Sequence, residues 1–323
     1  METRNELQAI TNQHLSLLLA YLKLKNYQFI TMSPNSHEIV NSRPENASAT
    51  DLQGIFGWNR LFSAETVDDF ILGLIQSTDL AIKSESGWKS QYRVSSINQL
   101  LFLHSAYPTL QNDAVFFGPD TYRFVSALQQ YLAANSKPIY RAVDIGTGSG
   151  AGAAIMGLAL PDSEIIAVDI NEAALSLAQI NINAADIDNV RLLKSDLLNN
   201  VEGNFDLIIA NPPYLLDEFE REYRHGGGQL GEQLSIKIVE TAITRLNPQG
   251  VLLLYTGVAI VGGRDAFLAK VTARLHRADF TFEYAEIDPD IFGEELANDA
   301  YSQVDRIAAV VLIARKQSHK WNF

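Results

Sequence analysis

The chain has 323 residues and not one cysteine. That excludes a disulfide framework, a thiolate nucleophile and any cysteine-based metal site. The six histidines show no ligand spacing, so no metal is expected. Basic residues are few: 25 Lys and Arg face 38 Asp and Glu, a formal net charge of −13. The broad basic footprint of a tight, nonspecific nucleic-acid binder is therefore missing. One local basic patch stays open at Arg221, Arg224 and His225, a cluster that reads equally as a solvated loop. No apolar run approaches the roughly 18 residues of a membrane-spanning helix. The polar start, Met1 to Asn5, has no signal-peptide apolar region. Together these absences fit a cytoplasmic protein with no membrane partner. Repeats and low-complexity segments are also absent.

What is present is apolar material, 47% of the residues, enough for one large core or two unequal domains. From about residue 113 strand and helix patterns alternate. Strands are expected at 140–144, 164–169, 190–194, 205–210, 251–255, 281–287 and 306–314. Helices are expected at 151–159, 172–184, 229–246 and 264–277, with Asn171 as a candidate cap and 247–250 as a turn. Such alternation predicts an α/β fold with a Rossmann-like, doubly wound, seven-stranded sheet. The sheet should be mostly parallel, with ligands at the carboxyl ends of its strands. A long acidic loop, 288–305, joins the last two strands without a helix, so the last strand should run antiparallel. Residues 1–112 read differently, as a smaller, mainly helical domain. An early helix is marked by Leu7 to Leu22, 69–77 is a second apolar run, and segment 93–104 is of open type.

The most informative stretch is Asn211-Pro212-Pro213-Tyr214. Two prolines in a row supply no N–H and fix φ near −65°, so the chain leaves the preceding strand as a stiff corner. The corner holds an amide and an aromatic ring at fixed positions, as a clamp for a flat polar group would. A rigid turn alone is the plainer explanation.

Upstream, Asp144-Ile145-Gly146-Thr147-Gly148-Ser149-Gly150 joins a strand to a helix of small residues. Glycines permit positive φ and close approach of a ligand to the backbone. With Ala153, the spacing loosely matches a dinucleotide fingerprint. A carboxylate at Asp144, however, suits a cationic amino-acid group better than a pyrophosphate. S-Adenosylmethionine (SAM) carries an ammonium and a sulfonium and no phosphate. Asp169, with Ile170 beside it, ends the second strand and is placed to accept ribose hydroxyls. Ser195-Asp196-Leu197 follows the third strand, where Asp196 can accept an adenine amino group with Leu197 against the ring. Any one Asp here reads equally as a loop residue or cap. Three at successive strand ends around one glycine loop do not.

On these residues the chain resembles the class I SAM-dependent methyltransferases over about 113–316. Asn211-Pro212-Pro213-Tyr214 further resembles the motif of enzymes that methylate a nitrogen conjugated to a π-system. The two-domain layout looks most like the HemK-type glutamine methyltransferases. Phe117-Gly118-Pro119-Asp120-Thr121-Tyr122 lies where that family has a proline-containing segment near the cofactor, although its Arg-Pro-Glu-Thr-Glu pattern is absent. The resemblance implies SAM as cofactor, with S-adenosylhomocysteine as product. It implies a cofactor site of Asp144, Gly146, Thr147, Gly148, Gly150, Asp169, Ile170, Ser195, Asp196, Leu197, Asn211 and Tyr122. It makes residues 1–112 the acceptor-recognition domain and 113–323 the catalytic domain.

Chemically, Asn211 Oδ1 and the Pro212 carbonyl would each accept one N–H of the acceptor's –NH₂, with Pro213 stiffening the corner and Tyr214 stacking on the planar group. The preferred acceptor is a Gln or Asn carboxamide of a protein or peptide. A nucleobase amine in rRNA or DNA is the alternative. A noncatalytic SAM-binding module is disfavoured by the intact clamp, and a dehydrogenase by Asp144. Tyr223 and His225, before the Gly226–Gly228 run, read as a mobile loop at the substrate mouth or as a general base. Trp58 and Trp88 read as core or surface anchors.

Overall fold

The computed structural model describes residues 2–109, 111–217, 221 and 223–318. The chain divides into two compact units. One holds Met1–Arg123 with Gly148–Ala151 and Ala173–Asp188; the other holds Phe124–Thr147, Gly152–Glu172 and Asn189–Phe323.

In the first unit, α1 (Glu2–Leu24) buries Leu15, Leu18, Leu19 and Leu22, a one-sided stripe at helical spacing. α2 (Pro34–Asn41) begins with proline behind a Ser33 cap, and α3 (Asp69–Ser77) behind an Asp68 cap that accepts the Ile71 N–H. Two antiparallel hairpins follow. They are β1 (Ala81–Ser84) with β2 (Gly87–Ser90), and β3 (Tyr92–Ile97) with β4 (Leu100–Ser105). The segment of open type is thus the second hairpin, turned at Asn98 with φ of 54°. Helix still exceeds strand in this region, as expected. Trp58 and Trp88 pack half-buried against its apolar cluster, which also takes in Ala174, Leu177 and Ile180.

The remaining elements are α4 (Pro119–Ala134), β5 (Arg141–Ile145), α5 (Ala151–Ala159), β6 (Glu164–Asp169), α6 (Glu172–Ala184), β7 (Val190–Lys194), β8 (Phe205–Ala210), α7 (Gln233–Arg245), β9 (Leu246–Val261), β10 (Arg264–Asp265), α8 (Ala266–Arg277), β11 (Phe280–Asp288) and β12 (Arg306–Lys316). The sheet order is β11-β12-β9-β8-β5-β6-β7, with short β10 pairing β9. Strands β5 to β9 pair in parallel; β12 runs antiparallel to both β9 and β11. The seven-stranded, doubly wound sheet with an antiparallel last strand is as the sequence predicts.

Several boundaries differ, and three of them do so for a plain local reason. The helix expected from 229 starts at Gln233, because Gly227, Gly228 and Gly231 all take positive φ before it. The turn at 247–250 does not precede a strand. It is a bulge inside β9: Leu246 pairs Phe205 and Val251 pairs Leu207, with Gln249 at φ of 68°. The helix expected from 264 starts at Ala266, after β10 and an Asp265 cap that accepts the Leu268 N–H at 2.8 Å. Among the described residues no helix is long and apolar enough to cross a membrane.

Candidate active site at the carboxyl ends of the parallel strands

The chain runs from β5 outward to β7, then returns to place β8 and β9 on the other side of β5. The crevice between the carboxyl ends of β5 and β8 is therefore the topological switch point, the usual ligand position of an open α/β sheet. Ile145 of β5 pairs both Ala210 of β8 and Val168 of β6. That register brings the residues after β5, β6, β7 and β8 to one edge: the glycine loop, Asp169, Ser195 to Leu197, and Asn211.

Asp144 is buried and does not face solvent. Its Oδ2 accepts the Thr147 hydroxyl at 2.8 Å and the Ala153 N–H at 3.0 Å. It thereby ties the loop to the first turn of α5. Burial pushes its carboxyl up to about 7, against these hydrogen bonds and with a further upward push from Asp169. Gly152 is the reason for this closeness, since a Cβ there would lie 2.8 Å from Asp144 Oδ2. Gly146 and Gly148 take positive φ of 71° and 54°, and a Cβ on either would meet nothing within 4 Å. The loop is bent by its glycines over open space. Gly150 differs: its φ is 81°, and a Cβ would press on Ala178 of α6 at 3.1 Å. It serves helix packing.

Asp169 is half-buried and accepts the Asn171 N–H at 3.0 Å, while its carbonyl accepts the Ser195 N–H at 3.0 Å. Ile170 is exposed despite its size. Ser195 is buried, its hydroxyl accepting the Asn200 N–H at 3.1 Å. Asp196 is exposed, and Leu197 is half-buried at φ of 49°. Tyr122 belongs to the first unit, where its hydroxyl accepts the Thr31 N–H at 3.0 Å and its ring meets Phe117 edge-on.

After β8, Asn211 is half-buried, and among the described residues its side-chain amide has no hydrogen-bond partner. Pro212 is buried and Pro213 half-buried. Tyr214 is buried, edge-on to Phe292 with ring centroids 6.1 Å apart. The following segment is held firmly. Leu215 and His225 form a β-bridge, and the Tyr301 hydroxyl accepts the Leu216 N–H at 2.8 Å. His225 Nδ1 accepts the Asp217 N–H at 3.3 Å. A Cβ on Gly231 would fall 1.9 Å from the Tyr214 carbonyl oxygen, so this glycine lies on the clamp's backbone. The candidate basic patch is a paired cluster: Arg221 bridges Asp217, and Arg224 bridges Asp217 and Glu295. No group of three or more potential metal ligands occurs among the described residues.

Sequence reasoning placed Gly231 in a Gly-rich loop after the clamp but missed Gly257, Tyr301 and Phe292 around it. Only Gly257 gave a signal, as a lone glycine in an apolar strand, which marks close approach.

Residues 120–261 match the methyltransferase small domain family. The chain is 37% identical over 130 residues to a ribosomal protein uL3 glutamine methyltransferase of Neisseria meningitidis, covering 37% of this chain and 43% of that protein. It is 33% identical over 187 residues to a release factor glutamine methyltransferase of Deinococcus radiodurans, covering 55% of this chain and 63% of that protein. The chain thus spans about half the length of the curated relatives it matches. Among solved structures, Trm5b from Pyrococcus abyssi matches with a TM-score of 0.50 at 15% identity, covering 79% of this chain and 69% of that one. At that identity the likeness speaks for the fold alone. Residues 120–261 thus match a methyltransferase small domain, and part of the chain is similar to glutamine methyltransferases of ribosomal protein uL3 and of release factors.

Proposed function

We propose that the chain is a SAM-dependent N-methyltransferase whose acceptor is a glutamine carboxamide of a protein. The observation that carries this reading is Asn211. Its amide is uncommitted, fixed by Pro212 and Pro213, and set at the switch point beside the glycine loop. The relatives' names supply the acceptor class, a ribosomal protein or a release factor.

The residues at the strand ends fit the cofactor. The loop opens onto free space at Gly146 and Gly148, and three carboxyl groups stand at or just past the ends of β5, β6 and β7: Asp144, Asp169 and Asp196. That donor set suits a cation with hydroxyls and repels a phosphate. Asp144, Gly146, Thr147, Gly148 and Gly150 would hold the amino-acid end. Asp169 and Ile170 would hold the ribose, and Ser195, Asp196 and Leu197 the adenine. When bound, SAM supplies a methyl group activated by its sulfonium.

The chain's own task is orientation. An amide nitrogen is a poor nucleophile because its lone pair is delocalised. Asn211 Oδ1 and the Pro212 carbonyl accept its two N–H groups and so fix its lone pair in one direction. They also stabilise positive charge as it develops on the nitrogen. No strong base is needed: as the N–C bond forms and the S–C bond breaks, the N–H becomes acidic, and its proton would pass to water. In this reading residues 1–112 recognise the acceptor and 113–323 perform the transfer, in the cytoplasm where translation proteins are found. The pairing of Arg221 and Arg224 with carboxylates argues against the nucleobase alternative, which needs a free basic strip.

The test uses the full chain, methyl-labelled SAM and three purified acceptors: ribosomal protein uL3, a release factor and total RNA. Label on a glutamine side chain of either protein is expected. Label in RNA alone overturns the proposal.

A further inference from the structure

Phe292 sits in the loop between β11 and β12 with φ of 52° and ψ of 41°. A bulky residue in the left-handed region is strained, and such strain persists only where the surroundings enforce it. Here they do. The Ile291 N–H donates to the Ile307 carbonyl at 2.8 Å, fixing the chain just before Phe292. Just after it, Glu295 is buried and paired with Arg224. Further on, Tyr301 holds the Leu216 N–H at 2.8 Å. The last two contacts tie this loop directly to the segment that follows Tyr214.

The product of this bracing is the direction of one ring. Phe292 meets Tyr214 edge-on, at 64° between planes and 6.1 Å between centroids, and stays half-buried. A glycine or asparagine would fill this backbone position without strain, so what the position gains from phenylalanine is its ring. The geometry points to Phe292 as a specificity-determining residue, a second aromatic wall of the acceptor subsite set at an angle to Tyr214. Two rings meeting edge-on make a corner that admits a flat, narrow group, such as a side-chain carboxamide on its methylene stem. This rests on the proposed methyl transfer at Asn211, and it adds the residue that discriminates among acceptors.

The experiment compares wild type with Phe292→Asn and Phe292→Tyr, using methyl-labelled SAM with purified ribosomal protein uL3, a release factor and total RNA. Asparagine tolerates the left-handed backbone, so F292N is expected to melt close to wild type. Its KM for the protein acceptor should rise about tenfold or more, the scale of losing one well-packed aromatic contact. Its Kd for SAM, measured by calorimetry, should not move. F292Y should restore the acceptor KM. An unchanged acceptor KM in F292N overturns the inference, as does a SAM Kd that weakens in step with it. If F292N does not fold, Phe292→Leu carries the same comparison, keeping apolar volume without the ring. Wild-type transfer to RNA alone sinks the glutamine reading, and the Phe292 comparison is then read on the RNA. Transfer to none of the three overturns both.

Discussion

The ring of Tyr214 lies on the bare backbone of Gly257: a Cβ there would fall 2.3 Å from Tyr214 Cδ2. Gly257 is part of β9 and pairs Ala309 of β12, so its backbone has little freedom to retreat. The clamp's aromatic ring is thus seated on the sheet itself. Gly257→Ala must push the ring out of place. It is expected to cost about 1–3 kcal/mol in stability, as other forced overpackings do. Methyl transfer should fall by about a hundredfold, the scale set by a misplacement of roughly 1 Å near reacting groups. SAM affinity should hold. Calorimetry and single-turnover transfer check the two halves, and full transfer activity in a folded G257A protein would count against Tyr214 as part of the acceptor site.

Asn211→Ala removes a single acceptor of hydrogen bonds and leaves the proline corner in place. Loss of one preorganised polar partner at a reacting centre costs on the order of 10²–10³ in kcat. The loss should appear in kcat, with SAM binding near wild type. SAM binding and methyl transfer that both survive at wild-type levels would rule out the clamp.

Asp144 makes a pH prediction of definite sign. Burial raises its carboxyl from an ordinary 3.8 to about 7 in the folded protein. A raised carboxyl pKa means that the folded state holds the proton more tightly. The stability tied to that proton is complete below about 3.8 and is lost as pH rises to about 7. Asp144→Asn keeps an oxygen for Thr147 and Ala153 and has nothing to ionise. Its stability relative to wild type should therefore climb between those pH values and level off above, by an amount on the order of 4 kcal/mol at most. Urea melts at pH 5 and pH 8 test this. Binding of SAM to wild type near pH 7 should also release a fraction of a proton, seen as buffer-dependent heat, and the D144N variant should release none.

Much of the fold was legible because β5, β6, β7 and β8 are short runs, each closed by a polar or glycine-rich turn. β6, β7, β8 and α6 follow the sequence pattern to the residue. The strand-end positions of the candidate site were legible for the same reason, since the strand at each one sets its place. What surrounds the clamp was not. Phe292, Tyr301 and Glu295 lie some 80 positions after Tyr214 in an irregular loop, and no periodicity connects them. Arg221 and Arg224 read equally as a basic patch or a solvated loop: Asp217 lies four positions before Arg221, but the other partner of Arg224, Glu295, lies 71 positions on and no pattern links the two. Gly146 and Gly150 look alike in sequence, yet one opens onto free space and the other lets α6 approach.

The paired cluster behind the clamp yields the last prediction. Arg224 lies between Asp217 and buried Glu295, so it neutralises carboxylates from both the segment after Tyr214 and the loop that carries Phe292. Arg224→Leu leaves Glu295 buried without its cation, and a buried acceptor that loses its partner costs roughly 1–3 kcal/mol or more when charged. Glu295→Leu alone is milder, because Arg224 keeps Asp217 at 3.4 Å. In the double variant both loops meet through apolar side chains, and replacing an ion pair in this way is often close to neutral. The double-mutant cycle should therefore show a favourable coupling of about 1–3 kcal/mol between the two positions. Acceptor KM should track the same cycle: raised in R224L, partly recovered in the double variant, with SAM affinity flat throughout. Additive losses in stability would show instead that the two loops are held independently, and that the clamp does not depend on this bridge.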